Sequence, residues 1–324
     1  VSRLIVTGGA GFIGCNLARA LNLRGHTDLT IVDRIDHIGK KRNLDRIQCR
    51  EFVDKDVFRE CVRGDTLEPV DAIFHLGACS STTEMNEAFL DNNNTAYTRE
   101  LCEWSLRHGA RFIYASSAAT YGDGSKGYSD DHALIPTLQP MNPYGWSKQK
   151  FDLWALQNNL LDRIVGLKYF NVYGPYEDHK GDMRSMINKA YDQIRSKGEL
   201  TLFKSHRPDY RDGEQERDFI YVKDAIAMTL FFFDHPLVNG IFNCGTGLAR
   251  TWVDLARAVF AAMDRTPQIR FVDIPDTIRD RYQYHTRADM TKLRASGFRP
   301  ATASIEDGVR EYVVKYLASP GYCQ

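Results

Sequence analysis

Leu4-Ile5-Val6-Thr7-Gly8-Gly9-Ala10-Gly11-Phe12-Ile13-Gly14 is the stretch on which the fold turns. Four apolar or β-branched residues read as a buried strand. The spaced glycines read as a turn open to a ligand, and Asn16-Leu17-Ala18-Arg19-Ala20-Leu21 reads as the helix that follows. Gly8 permits the tight turn, Gly11 leaves room for a pyrophosphate, and Gly14 lets the helix pack close to the sheet. The N–H groups at the helix start then point at the phosphates. Short glycine runs also make ordinary turns, so the strand before and the helix after are what point to a dinucleotide, with Phe12 and Ile13 in the same contact loop.

Outward from this unit, short apolar runs alternate with helical patterns, as in a parallel sheet with crossover helices. The periodicity predicts strands over 4–7, 29–33, 72–76, 112–116 and 165–170, and helices over 12–23, 94–108 and 144–159. After Asn171 the alternation breaks at Val172-Tyr173-Gly174-Pro175, and a polar, charge-rich stretch runs to Arg217. Strand-like runs return at 219–222 and 241–243. The expected fold is α/β: a Rossmann-type, doubly wound parallel sheet over 1–171, with a smaller α/β substrate-binding domain over 172–324. Part of 217–247 should pack back on the first domain. In such sheets ligands lie beyond the carboxyl ends of the strands, so the residues just after each strand are the candidates for function.

Composition excludes several classes. Lys and Arg total 42, Asp and Glu total 42, and the formal net charge is zero, so no global field draws the chain to nucleic acid or a membrane. The densest apolar run, 225–233, is far short of the ~20 residues that span a bilayer. The chain enters a strand directly without a signal-like segment, which favours the cytoplasm. Seven cysteines without C-x-x-C spacing read as reduced thiols, and the scattered histidines offer no metal-ligand spacing.

The candidate site follows from strand ends. Asp33 ends the second strand, where a carboxylate accepts from a ribose diol and favours NAD. Arg34 comes next, and Lys40-Lys41-Arg42 lies within reach of the same corner, which suits the 2′-phosphate of NADP. Spacing leaves NADP and NAD both open. Small residues in Leu76-Gly77-Ala78-Cys79-Ser80 let a backbone run along the dinucleotide. Tyr144 and Lys148 share one helix face, with Pro143 at a position suited to a helix start. A tyrosine is a poor base at its ordinary pKa of ~10, and a neighbouring ammonium and an oxidised nicotinamide both favour tyrosinate. Ser116 and Ser117, at the end of the Phe112–Ala115 strand, supply hydroxyls to position a substrate oxygen.

These residues carry a resemblance. Gly8 to Gly14, Ser116-Ser117-Ala118-Ala119-Thr120-Tyr121-Gly122, Tyr144-x-x-x-Lys148, Arg217-Asp218-Phe219-Ile220-Tyr221-Val222-Lys223-Asp224 and Asn243-Cys244-Gly245-Thr246-Gly247 resemble the extended short-chain dehydrogenase/reductase family over nearly the whole chain. Most members act on nucleotide sugars by transient oxidation with a tightly held nicotinamide. Within it, Gly77-Ala78-Cys79-Ser80-Ser81-Thr82-Thr83-Glu84, Tyr169-Phe170-Asn171-Val172-Tyr173-Gly174-Pro175, His179-Lys180-Gly181-Asp182-Met183 and Asp280-Arg281-Tyr282-Gln283 resemble the branch that epimerises an ADP-heptose for bacterial lipopolysaccharide.

The resemblance implies an isomerase that inverts C6″ through a ketone, with Ser117, Tyr144, Lys148 and a second base, Lys180, as catalytic residues. It adds Lys55, Asn94 and Val172, with Lys180, to the cofactor contacts. To the substrate it assigns Ser116, Asn171, Asp182, Lys189, Phe203, Lys204, Ser205, His206, Arg217 and Tyr282. Asp182 stands where relatives have serine, and Lys189 where they have histidine. Homo-oligomers are common among relatives. Dehydratases of the family place an Asp-Glu pair where this chain has Ala118-Ala119, which argues against elimination. A UDP-hexose 4-epimerase keeps the same serine, tyrosine and lysine and is the alternative enzyme. A non-catalytic NADP-binding module would be expected to have lost the tyrosine or the lysine.

Overall fold

The structure is a computed structural model describing residues 2–279 and 282–319. Asp280, Arg281 and Cys323 lie outside the described residues.

Strands β1 (Leu4–Thr7), β2 (Leu29–Asp33), β3 (Glu51–Asp54), β4 (Ala72–His75), β5 (Arg111–Ser117), β6 (Val165–Tyr169), β7 (Asn171–Tyr173), β8 (Leu200–Phe203), β9 (Glu216–Tyr221), β10 (Gly240–Cys244), β11 (Ala249–Thr251) and β12 (Ile269–Val272) form three sheets. The largest has seven strands in the order β10-β6-β5-β4-β1-β2-β3. Every pairing in it is parallel. Strand order reverses between β1 and β4, the switch point at which α/β sheets bind ligands. Helices α1 (Phe12–Leu23), α2 (Ile38–Leu44), α3 (Lys55–Arg63), α4 (Glu87–Leu90), α5 (Tyr97–His108), α6 (Pro143–Gln157) and α7 (Met186–Lys197) follow in turn.

Alternate residues of the central strands feed two cores. Leu4, Val6, Phe74 and Ile113 pack on one face. Ile5, Ile73, Phe112 and Tyr114 pack on the other. A sheet covered on both faces needs near-continuous apolar strands, and β1, β4 and β6 supply them. Among the described residues no helix is long and apolar enough to cross a membrane.

Two elements differ from the sequence reading in instructive ways. The helix expected from Asn94 begins earlier, at Glu87, and carries a π turn over Asp91–Ala96. The π turn carries two buried residues, Asn94 and Thr95. The returning strands also part company. β10 pairs with β6 and completes the main sheet, whereas β9 pairs with β7 and β11 in a separate three-stranded sheet. β8 and β12 make the third sheet.

Candidate active site

The glycine loop is tightly cradled. Gly8 has φ +67°, and a Cβ there would lie 2.7 Å from the Gly77 nitrogen; a Cβ on Gly14 would lie 2.1 Å from the Gly8 carbonyl oxygen. The loops after β1 and β4 therefore touch backbone to backbone, leaving the open N–H groups of the α1 start toward the crevice. Thr7 Oγ1 accepts from Gly77 N at 3.1 Å and bonds His75 Nδ1 at 2.7 Å, while His75 Nε2 bonds Thr98 Oγ1 at 2.9 Å. Burial and nearby Lys148 push the His75 pKa down to about 3, so this bridge is neutral.

Asp33 is buried, and its carboxylate accepts from Ala10 N at 3.1 Å, Arg34 N at 2.7 Å and Lys40 Nζ at 3.1 Å. Lys40 also pairs with Asp36 at 3.2 Å, and Arg34 with Asp36 at 2.9 Å. The acid and the bases of this corner thus share one network. Lys55 lies just after β3 and pairs with Asp56.

Asn94 is 1% exposed, accepts from Cys79 N, and donates to Cys79 O and Ser147 Oγ, so it holds the 76–80 loop against α6. Successive strand residues face opposite sides, and Ser116 Oγ turns inward to donate to Asp152 at 2.7 Å.

Ser117 faces the site. It caps the short 3₁₀ turn Ala118–Tyr121, accepting from Ala119 N at 3.1 Å, and its hydroxyl lies near enough to the Tyr144 phenol to favour the phenolate. Tyr144 lies in the first turn of α6, which opens on Asn142 capping Gly145 N at 2.8 Å, with Pro143 first in the helix. Burial raises the Tyr144 pKa, and the group that opposes burial is Ser117, not Lys148 as the sequence suggests. Lys148, 5% exposed, is itself pushed down to about 8 by burial, against the pull of Asp152.

Lys180, in the turn Asp178–Met183, places its amine 5.2 Å over the Phe12 ring at the start of α1. Burial and Lys189 lower its pKa, with Glu177 opposing. Lys189 Nζ donates to the Asp182 carbonyl at 3.1 Å, so these two departures from the relatives' pattern are neighbours. Asn171 and Val172 lie in β7, Asn171 exposed and Val172 half-buried.

A second group gathers around β8. Arg217 is 7% exposed, donates to the carbonyls of Glu216 and Gln283, and lies 5.7 Å from the Trp252 and 5.4 Å from the Tyr282 ring centroids. No carboxylate among the described residues pairs with it, and burial lowers its pKa. A buried cation without a counter-ion is a site for an anion. Phe203 meets Tyr282 edge-on at 6.2 Å. Lys204 pairs with Asp273, and Ser205 N donates to Asp212. Tyr284, not anticipated from sequence, accepts from His206 N and bonds His206 Nδ1, both at 2.9 Å. A cleft of about 250 Å3 opens beside Met141, Arg207, Tyr210, Tyr282 and Tyr284. A larger one, about 710 Å3, lies by Ser129, Arg287 and Arg294 and holds none of the residues marked from sequence.

Fold and site define a nicotinamide-dependent enzyme of the serine–tyrosine–lysine kind, and the residues present fit a dinucleotide. The chain belongs to the NAD dependent epimerase/dehydratase family, which it matches over residues 4–245. It is 53% identical to the ADP-L-glycero-D-manno-heptose-6-epimerase of Nitratidesulfovibrio vulgaris (strain DP4), across 97% of this chain and 98% of that one. The Helicobacter pylori structure of that name superposes with a TM-score of 0.80 at 25% identity, covering 98% of this chain and 97% of the other. The Thermus thermophilus UDP-glucose 4-epimerase complex with NAD gives a TM-score of 0.75 at 26% identity over 96% of this chain and 97% of that one.

Two outcomes follow from the geometry. Gly14→Ala puts a methyl into the Gly8 carbonyl, so the purified variant should fold yet lose bound nucleotide, read as nucleotide released on denaturation. The Lys148 ammonium is disfavoured in the folded chain, from the ordinary 10.5 down to about 8. Between those values the unfolded chain holds a proton that the folded chain lacks, so cofactor-free stability gains an increment as pH rises from 8 to 10.5. Lys148→Met should abolish that increment in denaturant midpoints measured across the window.

Proposed function

We propose that the chain inverts C6″ of ADP-D-glycero-D-manno-heptose, giving ADP-L-glycero-D-manno-heptose through a transient 6″-ketone. What carries the reading is the 53% identity over nearly the full length to a protein of that name, joined to an intact Ser117–Tyr144–Lys148 group. The enzyme is an isomerase.

When bound, a nicotinamide supplies a reversible acceptor for the hydrogen at C6″. Gly8, Gly11, Phe12, Ile13, Gly14 and the 76–80 loop would hold its diphosphate and flank, and Lys148 its ribose. Ser117 orients the substrate hydroxyl, and Tyr144 takes its proton at the phenolate oxygen. Lys148 raises the tyrosinate fraction only while it is protonated. Inversion needs the ketone presented on its other face, and Lys180 is the second acid/base there. Its lowered pKa increases the neutral fraction such a role requires.

Arg217 is the diphosphate anchor, with Phe203, Lys204, Ser205, His206 and Tyr282 around the nucleotide and Asn171, Asp182 and Lys189 toward the sugar. We take residues 1–171 as the cofactor domain and 172–324 as the substrate domain, with β10 returned to the main sheet. NADP is the favoured cofactor: Lys40 neutralises Asp33, which removes the repulsion a 2′-phosphate would meet. The product feeds the inner-core heptose of lipopolysaccharide, and a cytoplasmic homo-oligomer suits that role.

The test is incubation of purified protein, without added cofactor, with ADP-D-glycero-D-manno-heptose, resolving the C6″ epimers by NMR. Both epimers should appear with no net rise in reduced cofactor. Tyr144→Phe should slow turnover roughly 10²–10⁴-fold. No interconversion, even with NADP or NAD supplied, rejects the heptose and turns the search to UDP-hexoses.

A further inference from the structure

Below the catalytic group lies a charged cluster that the mechanism does not use. The Asp152 carboxylate, wholly buried, accepts from Tyr114 Oη at 2.8 Å, Ser116 Oγ at 2.7 Å and Lys168 Nζ at 2.7 Å. Tyr114 and Ser116 belong to β5, Lys168 to β6 and Asp152 to α6. One carboxylate therefore fixes the catalytic helix against two strands at once. Lys168, 1% exposed, also donates to Thr120 Oγ1 at 2.6 Å and sits 5.3 Å over the Tyr121 ring. Thr120 Oγ1 in turn donates to the Ser117 carbonyl at 2.8 Å. An unbroken chain of hydrogen bonds thus runs from the helix bearing Tyr144 and Lys148 to the turn bearing Ser117.

We propose that Asp152, Lys168 and Thr120 are positioning residues of this epimerase, a buried relay that sets the distance between Ser117 and Tyr144. The proposal rests on the functional reading above.

Three arguments support it. Tyr144, Lys148 and Asp152 stand one turn apart on a single face of α6, so fixing the carboxylate fixes both catalytic side chains. Hydrogen bonds to a carboxylate are sharply dependent on distance and angle, whereas an apolar contact at the same place would let the helix slide. A buried ion pair is also a poor way to gain stability alone, since apolar replacements of similar shape often do as well. A fully satisfied pair in this place accounts for geometry better than for stability. The Asp152 charge also opposes the loss of the Lys148 proton.

Asp152→Asn would strand Lys168 and could unfold the chain, so the test acts at the far end of the relay. Thr120→Val removes only the hydroxyl, and Thr120→Ser keeps it. With holoenzyme of each, Thr120→Val should lower kcat about tenfold with KM within about twofold, the kind of loss a small misplacement causes. Thr120→Ser should restore it, and both should melt close to the wild type. A second readout needs no substrate. Tyrosinate absorbance titrated against a Tyr144→Phe blank should move to higher pH in Thr120→Val, because the Ser117 hydroxyl that favours the phenolate is displaced.

Wild-type kcat and an unmoved Tyr144 titration in folded Thr120→Val would overturn the proposal, as would a Thr120→Ser as slow as the valine variant. Should the valine variant not fold, Thr120→Ala carries the same comparison. If the wild type fails on the ADP-heptose while the titration shifts as stated, the substrate reading is at fault and the relay stands.

Discussion

Burying the polar face of one helix constrains everything around it. Helix α6 turns Ser147, Lys148, Gln149 and Asp152 into the protein, and each needs a partner or a ligand once water is removed. Asp152 finds three donors, Ser147 accepts from Asn94, and Gln149 donates to the Ile135 carbonyl. The Lys148 ammonium donates to no other described residue, and burial lowers its pKa. The same helix that cannot be removed from the core is the one that carries the chemistry.

That constraint reaches the far side of the crevice through the cofactor loop. Gly8 against Gly77 sets the gap between β1 and β4, and Asn94 clamps the β4 loop to α6 through Cys79 and Ser147. The dinucleotide floor and the catalytic helix are therefore one rigid unit. The elements that carry Lys180 and Arg217 approach it from the polar half of the sequence. Lys180 lies over Phe12, and a Cβ on Gly39 of α2 would lie 3.1 Å from the His179 Cβ, so the turn that carries Lys180 leans on the glycine-loop side.

Much of this is legible in the string of residues. The glycine loop, β1, β2 and α1 carry local signals strong enough to place them to the residue, because a strand buried on both faces and a helix packed through Gly14 allow few other sequences. Tyr144 and Lys148 lie on helix α6, whose Pro143 start the sequence marks. Side-chain direction is harder to see. Ser116 and Ser117 look equivalent in a string, although strand alternation puts them on opposite faces. Nothing local reveals that the Asn94 amide bonds Cys79 and Ser147. Asp152 does have a signal, an acid one turn beyond Lys148 on a buried face, but its partners Tyr114 and Lys168 come from strands distant in sequence. The ring cluster of Tyr282, Tyr284, Trp252 and Phe203 depends likewise on how β8, β9 and β12 come together, which periodicity does not encode.

The chemistry asks these pieces to do one thing: take the hydrogen from C6″ and put the same one back on the other face. Substrate carrying deuterium at C6″, turned over in ordinary water and followed by NMR, tests that directly. The account predicts that the label stays at C6″ in both epimers. Steady loss of the label to solvent would mean inversion by removal and return of a proton at carbon, and would contradict it.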